Sequence, residues 1–264
     1  MTAVAFSYTV TGAPDAPVVV LSSSLGATRG MWEPQVPPLA ERYRVVSYDA
    51  RGHGESPAPA GPYTLDDLVD DLVALLDEVG APRAHVAGLS LGGMTGMRLA
   101  AREPDRVHGL ALLCTSAKPD PQPFLDRAAA VRDGGIAPLA ATVASRWVTP
   151  PFAAEHPELM ARLEAMIAGS DDEGYAACCE VVAAVDLRED LGRITAPTLV
   201  VAGAEDPALA PPHQEAIARG IRGAELLTVS PGAHLANLER TLEVTGALLA
   251  HFDAAGTNRT GATA

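Results

Sequence analysis

Val86-Ala87-Gly88-Leu89-Ser90-Leu91-Gly92-Gly93-Met94 places a G-x-S-x-G pentapeptide between a strand-like run, Ala84 to Leu89, and a helical run carrying Met94, Met97 and Leu99. A serine on so sharp a strand-to-helix turn takes a strained backbone. Its neighbours at 88 and 92 must be small, because strand and helix approach too closely there for a Cβ. The Ser90 hydroxyl then stands at the C-terminal edge of a sheet, at the positive end of the next helix. The pentapeptide also occurs in packing turns; the strand before it and the helix after it favour a nucleophile.

Upstream, strand-like Val4 to Val10, Val18 to Ser22 and Arg44 to Asp49 lead to a helical stretch from Thr64 to Val79. This is the rhythm of an α/β protein with a mostly parallel central sheet flanked by crossover helices. Within the helical stretch Leu65, Leu68, Val69, Leu72, Leu75, Leu76 and Val79 recur near a 3.6-residue period. Asp66, Asp67, Asp70 and Asp71 are expected to form its solvated face and N-terminal charge. Downstream of a strand at Val107 to Cys114, residues 119–187 carry seven prolines and no strand-like run, which predicts an inserted helical cap. Strands resume at Thr198 to Ala202 and Glu225 to Val229, and a last helix spans about Leu238 to Phe252. The expected organisation is a core of residues 1–118 and 188–252, a cap of 119–187, and a disordered tail of 253–264.

Length and charge narrow the function. The chain's 264 residues suffice for one large unit with a cap, and its net charge of −14 disfavours nucleic acid and anionic membrane surfaces as partners. No apolar run approaches the roughly 18 to 20 residues of a membrane span, and the N-terminus lacks a secretory pattern, so a cytoplasmic location is expected. Lys118 is the only lysine, which excludes a P-loop, and neither a dinucleotide fingerprint nor a metal-binding spacing occurs, so no cofactor and no metal are expected. Cys114, Cys178 and Cys179 read as buried thiols. No sequence feature bears on oligomeric state.

A serine needs a base held by a third group, and on this kind of turn acid and histidine follow in that order. Asp206 ends Leu199 to Pro207, a buried strand running into a loop, and His234 ends Leu226 to His234, the same design repeated 28 positions later. Glu205 is the rival acid, and the competing structural roles are an Asx turn at Asp206 and a helix cap at His234. His53, in the turn-rich loop Asp49 to Ser56, is the nearest rival base, with a structural hydrogen-bonding role favoured. His156, His213 and His251 sit in settings that predict solvated surface roles. The backbone N–H groups of Leu91 and Leu25, the latter in Leu21-Ser22-Ser23-Ser24-Leu25-Gly26, are the expected oxyanion donors.

With these residues quoted, the chain up to about Phe252 resembles the α/β-hydrolase family, and within it the 3-oxoadipate enol-lactonases. The similarity to that subfamily is carried by Ser24-Leu25-Gly26 followed by Gly30-Met31-Trp32, Gly61-Pro62-Tyr63, Thr115 to Lys118, Arg146-Trp147-Val148-Thr149, Gly174 to Cys179, and Ala233-His234-Leu235-Ala236-Asn237. Two departures are Ser23, where the subfamily pattern has asparagine, and Ala183 to Asp186, where a more charged stretch is usual.

The resemblance implies a serine hydrolase that opens a small, carboxylate-bearing lactone or ester. Ser90 would attack the carbonyl, His234 move the proton and Asp206 orient the imidazole. Arg146 and Trp147 would recognise the substrate carboxylate, against a plain cap-packing role. A general carboxylesterase or cofactor-free perhydrolase is the alternative enzyme, and a ligand-binding receptor on the same fold the non-enzymatic one.

Overall fold

The structure is a computed structural model and describes residues 6–257. Seven strands, β1 (Tyr8–Thr11), β2 (Val18–Ser22), β3 (Arg44–Tyr48), β4 (Ala84–Leu89), β5 (Val107–Leu113), β6 (Thr198–Gly203) and β7 (Glu225–Val229), form one sheet in the order β1-β3-β2-β4-β5-β6-β7. β1 pairs antiparallel with β3 and every other neighbouring pair is parallel. The central strands are continuously apolar because helices cover both faces: β2, β4 and β6 are buried at every position, whereas the edge strands β1 and β7 are mostly exposed. The first strand was expected from Val4. Val4 and Ala5 lie outside the described residues, and the ladder begins at Tyr8.

The helices before the inserted segment are α1 (Val36–Ala40), α2 (Leu65–Glu78) and α3 (Leu91–Arg102). Between β5 and β6 run α4 (Gln122–Gly134), α5 (Ala140–Ala144), α6 (Pro150–Glu155), α7 (Pro157–Ala168) and α8 (Asp172–Ala184), without a strand among them. α9 (Pro212–Gly220) joins β6 to β7, and α10 (Ala236–Glu239) and α11 (Thr241–Thr257) close the chain. α2 and α3 pack on each other beside β4, while α11 covers β5 and β6. Among the described residues no helix is long and apolar enough to cross a membrane.

Three expectations need correction. The acidic run on α2 is not a uniformly solvated face: Asp67 and Asp71 are buried. Asp67 forms a reciprocal capping box with Thr64, and Asp71 takes a two-pronged bond from Arg51 at 2.6 and 2.7 Å. The expected single last helix is interrupted at Arg240, whose φ of −118° and ψ of 46° leave the helical region. It then runs to Thr257, beyond the expected loss of order at Asp253. The reason is an anchor: Asp253 pairs with Arg42 and accepts from the Tyr43 hydroxyl at 2.6 Å, and Ala255 is buried. The rest of the expected disordered tail, 258–264, lies outside the described residues.

Parallel strands leave their carboxyl ends at one edge, where ligands of open α/β sheets bind. Ser90 follows β4, Ser23 to Leu25 follow the adjacent β2, Asp206 follows β6 and His234 follows β7.

Candidate active site

β4 turns into α3 through Ser90, whose φ of 56° and ψ of −115° lie outside the ordinary regions for an L-residue. Such a backbone costs about 1–3 kcal/mol and persists only when its surroundings hold it. Here they do: Ser90 N–H donates to Leu113 O at 2.9 Å, and Thr115 Oγ1 donates to Ser90 O at 2.7 Å. The glycines are steric requirements, since a Cβ on Gly88 would lie 2.2 Å from Gly92 O, and one on Gly92 would lie 2.3 Å from Ser22 O.

The two later loops bring an acid to an imidazole. Asp206 Oδ2 lies 2.8 Å from His234 Nδ1, with both side chains almost fully enclosed. Asp206 Oδ1 accepts from the amides of Ala208 and Leu209 at 2.8 and 3.0 Å, so the carboxylate is fixed on both oxygens. A carboxylate partner can only accept, so Nδ1 carries a hydrogen, and in the neutral ring Nε2 presents its lone pair. His234 Nε2 is 3.5 Å from Ser24 Oγ, and Ser24, Ser90 and His234 line one cleft. The rival acid, Glu205, is exposed and faces Ser230. The rival base, His53, is engaged on both ring nitrogens, by Gly26 N–H at 2.8 Å and Arg51 O at 3.0 Å, and burial lowers its pKa.

Among the described residues the amides of Leu25 and Leu91 find no protein acceptor, whereas the amides beside them do. Gly26 N–H donates to His53, Gly92 N–H to Ser23 O at 3.1 Å, and Ser90 N–H to Leu113 O. Two unfilled donors on adjacent strand ends, one of them in the first turn of α3, suit a developing oxyanion.

The inserted helices roof the cleft. Arg146 and Trp147, following α5, both line it. Each also ties the roof to a loop of the sheet edge: Arg146 Nη2 donates to Pro207 O at 3.0 Å, and Trp147 O accepts from Leu235 N–H at 2.7 Å. Glu239 completes this clamp, its carboxylate accepting from Thr149 N–H on one oxygen and from Ala233 N–H at 3.1 Å on the other. Desolvation raises the Glu239 pKa, against the pull of those donors.

Two cleft residues escaped the sequence reading. Arg127 of α4 lies over the Phe124 ring at 5.5 Å and reaches the Tyr175 hydroxyl at 3.4 Å. Most arginines here meet carboxylates, as Arg132 meets Glu173 and Glu180; Arg127 and Arg146 have no carboxylate partner among the described residues. The available signal was that the positions three and four away from Arg127 are Pro123, Phe124, Ala130 and Val131, none acidic. His213, expected on the solvated surface, instead lines the cleft. His251 is likewise largely covered, with a pKa lowered by burial.

A family model described as alpha/beta hydrolase fold matches residues 17–241. The chain is 40% identical over 238 residues to 3-oxoadipate enol-lactonase 2 of Acinetobacter baylyi, covering 90% of this chain and 89% of that protein. It is 36% identical over 236 residues to a putative carbamate hydrolase RutD of Variovorax paradoxus, covering 86% and 88%. The crystal structure of the enol-lactonase from Burkholderia xenovorans superposes with a TM-score of 0.92 at 38% identity, covering 94% of this chain and 96% of that one.

Proposed function

The chain belongs to the α/β-hydrolase family, and from that premise we propose that it opens a small carboxylate-bearing enol-lactone, of the 3-oxoadipate enol-lactone type, using Ser90, His234 and Asp206. The observation that carries this is one cleft holding Ser90 and His234 beneath two arginines without carboxylate partners, in a chain of net charge −14. An acidic protein repels an anionic substrate at long range, so two cleft guanidinium groups that form no ion pair among the described residues, against the single carboxylate of Asp120 on the same lining, serve that class of ligand.

In the proposed mechanism Ser90 Oγ attacks the lactone carbonyl while His234 Nε2 takes its proton. The carbonyl oxygen gains charge between the Leu25 and Leu91 amides. Collapse breaks the ring C–O bond; the enol oxygen leaves and takes the proton back from His234. Water, deprotonated by His234, releases the acyl group, and the freed enol tautomerises to the ketone. Asp206 stabilises the imidazolium formed in each half. Arg127 and Arg146 hold the substrate carboxylate against Trp147, and a cytoplasmic setting accords with three free, buried thiols.

The test compares the carboxymethyl enol-lactone with α-angelica lactone, the same ring with a methyl group in place of the carboxymethyl arm. A charge-assisted contact worth about 1.5–3 kcal/mol predicts a kcat/KM preference of roughly 10- to 150-fold for the carboxylate-bearing ring. Equal rates, or no turnover of either lactone, overturn the proposal. Similarity to the carbamate hydrolase relative favours carbamate cleavage as the second reading. Faster turnover of a small carbamate than of both lactones would establish it.

A further inference from the structure

The chemistry above gives no role to His213, which lines the same cleft. We propose that His213 determines specificity by donating its Nε2–H to an oxygen of the substrate's carboxylate-bearing arm, an inference that rests on the proposed lactonase function.

The ring is held in place from behind. His213 sits in the first turn of α9, its own N–H bonded to Ala210 O at 3.0 Å. The neighbouring side chain, Gln214, is fully buried and donates to Thr115 O at 2.7 Å and Leu209 O at 3.2 Å. The start of α9 is thereby pinned to the strand end after β5 and to the Asp206 loop, fixing where His213 projects.

The hydrogen-bond inventory sets which ring nitrogen can donate. Ser116 Oγ, fully buried, lies 2.8 Å from His213 Nδ1 and already accepts from Lys118 N–H at 3.0 Å. A hydroxyl has one proton and two lone pairs; the backbone amide fills one lone pair, and among the described residues the buried Ser116 O–H has no acceptor other than Nδ1, so pairing it places the ring hydrogen on Nε2. In the protonated ring Nδ1–H donates to Ser116 and Nε2 still carries a hydrogen. Nε2 is therefore a donor in either charge state, and it has no protein acceptor among the described residues.

A donor locked in one sense, on the wall of a cleft that also holds Ser90, two arginines and one carboxylate, Asp120, is suited to an anionic or carbonyl oxygen. It selects against an apolar substituent, because an arm without an acceptor displaces water from Nε2–H and leaves it unpaired. The arginines supply charge; His213 supplies direction.

The experiment measures kcat and KM of wild type, His213→Ala, His213→Gln and Ser116→Ala on the carboxymethyl enol-lactone and on α-angelica lactone. His213→Ala is expected to cut the preference for the carboxymethyl ring about tenfold, the worth of one hydrogen bond to a charged acceptor, with the loss in KM for that substrate. His213→Gln, which offers an amide N–H, should recover part of it, and Ser116→Ala should show a smaller loss in the same sense. A preference identical to wild type in His213→Ala, or a proportional fall on both lactones, overturns the inference while leaving the lactonase reading intact. A wild type without preference for the carboxymethyl ring overturns both.

Discussion

Asp206→Asn isolates the role of the acid without changing its shape. The side chain has two faces: Oδ1 takes the Ala208 and Leu209 amides, and Oδ2 takes His234 Nδ1–H. An asparagine must choose. With its oxygen toward the two backbone amides, its NH2 points at Nδ1, forcing the ring into the tautomer with hydrogen on Nε2, which cannot accept a proton from Ser90. The opposite orientation keeps the useful tautomer but sets NH2 against two N–H donors, that of Ala208 part-buried and that of Leu209 buried. Each lost bond costs about 1–3 kcal/mol, so the unproductive orientation is favoured by roughly 2–6 kcal/mol, or about 30- to 10⁴-fold. Loss of the negative charge beside the developing imidazolium adds to this, and we expect kcat to fall by about 10³- to 10⁴-fold, as for the same exchange in serine proteases. The assay is steady-state hydrolysis of α-angelica lactone with the thermal midpoint monitored in parallel. A variant that keeps its fold and more than a tenth of wild-type kcat would refute the tautomer account.

Three further outcomes follow from the same contacts. Glu239→Ala removes the acceptor joining Thr149 to Ala233, next to His234, and should lower kcat about 10- to 100-fold on both lactones with little change in KM, Glu239→Gln losing less; kinetics on both variants decide it. Arg127→Met keeps the packing on Phe124 but not the charge, and should raise KM for the carboxymethyl lactone by about 10- to 100-fold. Stability should fall on acidification: burial first, then repulsion from His108 and His251, pushes the His85 pKa down to about 3 from 6.5. Between those values the unfolded chain binds a proton that the folded chain refuses, so this contribution is complete above pH 6.5 and is lost toward pH 3, at up to about 1.4 kcal/mol per pH unit. Urea midpoints from pH 7 to 4.5 should drop, and His85→Gln should flatten the dependence; a His85→Gln slope equal to wild type counts against it.

Why some of this was legible in the sequence is physical. The Ser90 turn is decided by local sterics, and the collisions that a Cβ at 88 or 92 would meet involve the turn itself and the adjacent strand end. The parallel core strands announce themselves because burial on both faces leaves unbroken apolar runs such as Val18 to Leu21 and Leu199 to Ala202. What depends on a distant partner was not legible. Asp71 reads as a surface charge until Arg51 of another loop is placed against it, and His213 reads as solvated until Ser116 is brought to 2.8 Å. Arg146 and Trp147, candidates for the substrate carboxylate or for cap packing, both line the cleft; their bonds to Pro207 and Leu235, which also fasten the roof to the loops bearing Asp206 and His234, arise from pairs 61 and 88 positions apart.

The most direct measurement is peptide mass mapping after brief reaction with a fluorophosphonate, on wild type and Ser90→Ala. Ser24 Oγ lies 3.5 Å from His234 Nε2 and Ser90 lines the same cleft, and only a serine activated by the imidazole reacts quickly. A single phosphonyl group on Ser90, with none on the Ser90→Ala protein, is the predicted result. A label on Ser24, or a wild type that stays unmodified while it hydrolyses lactone, would contradict it.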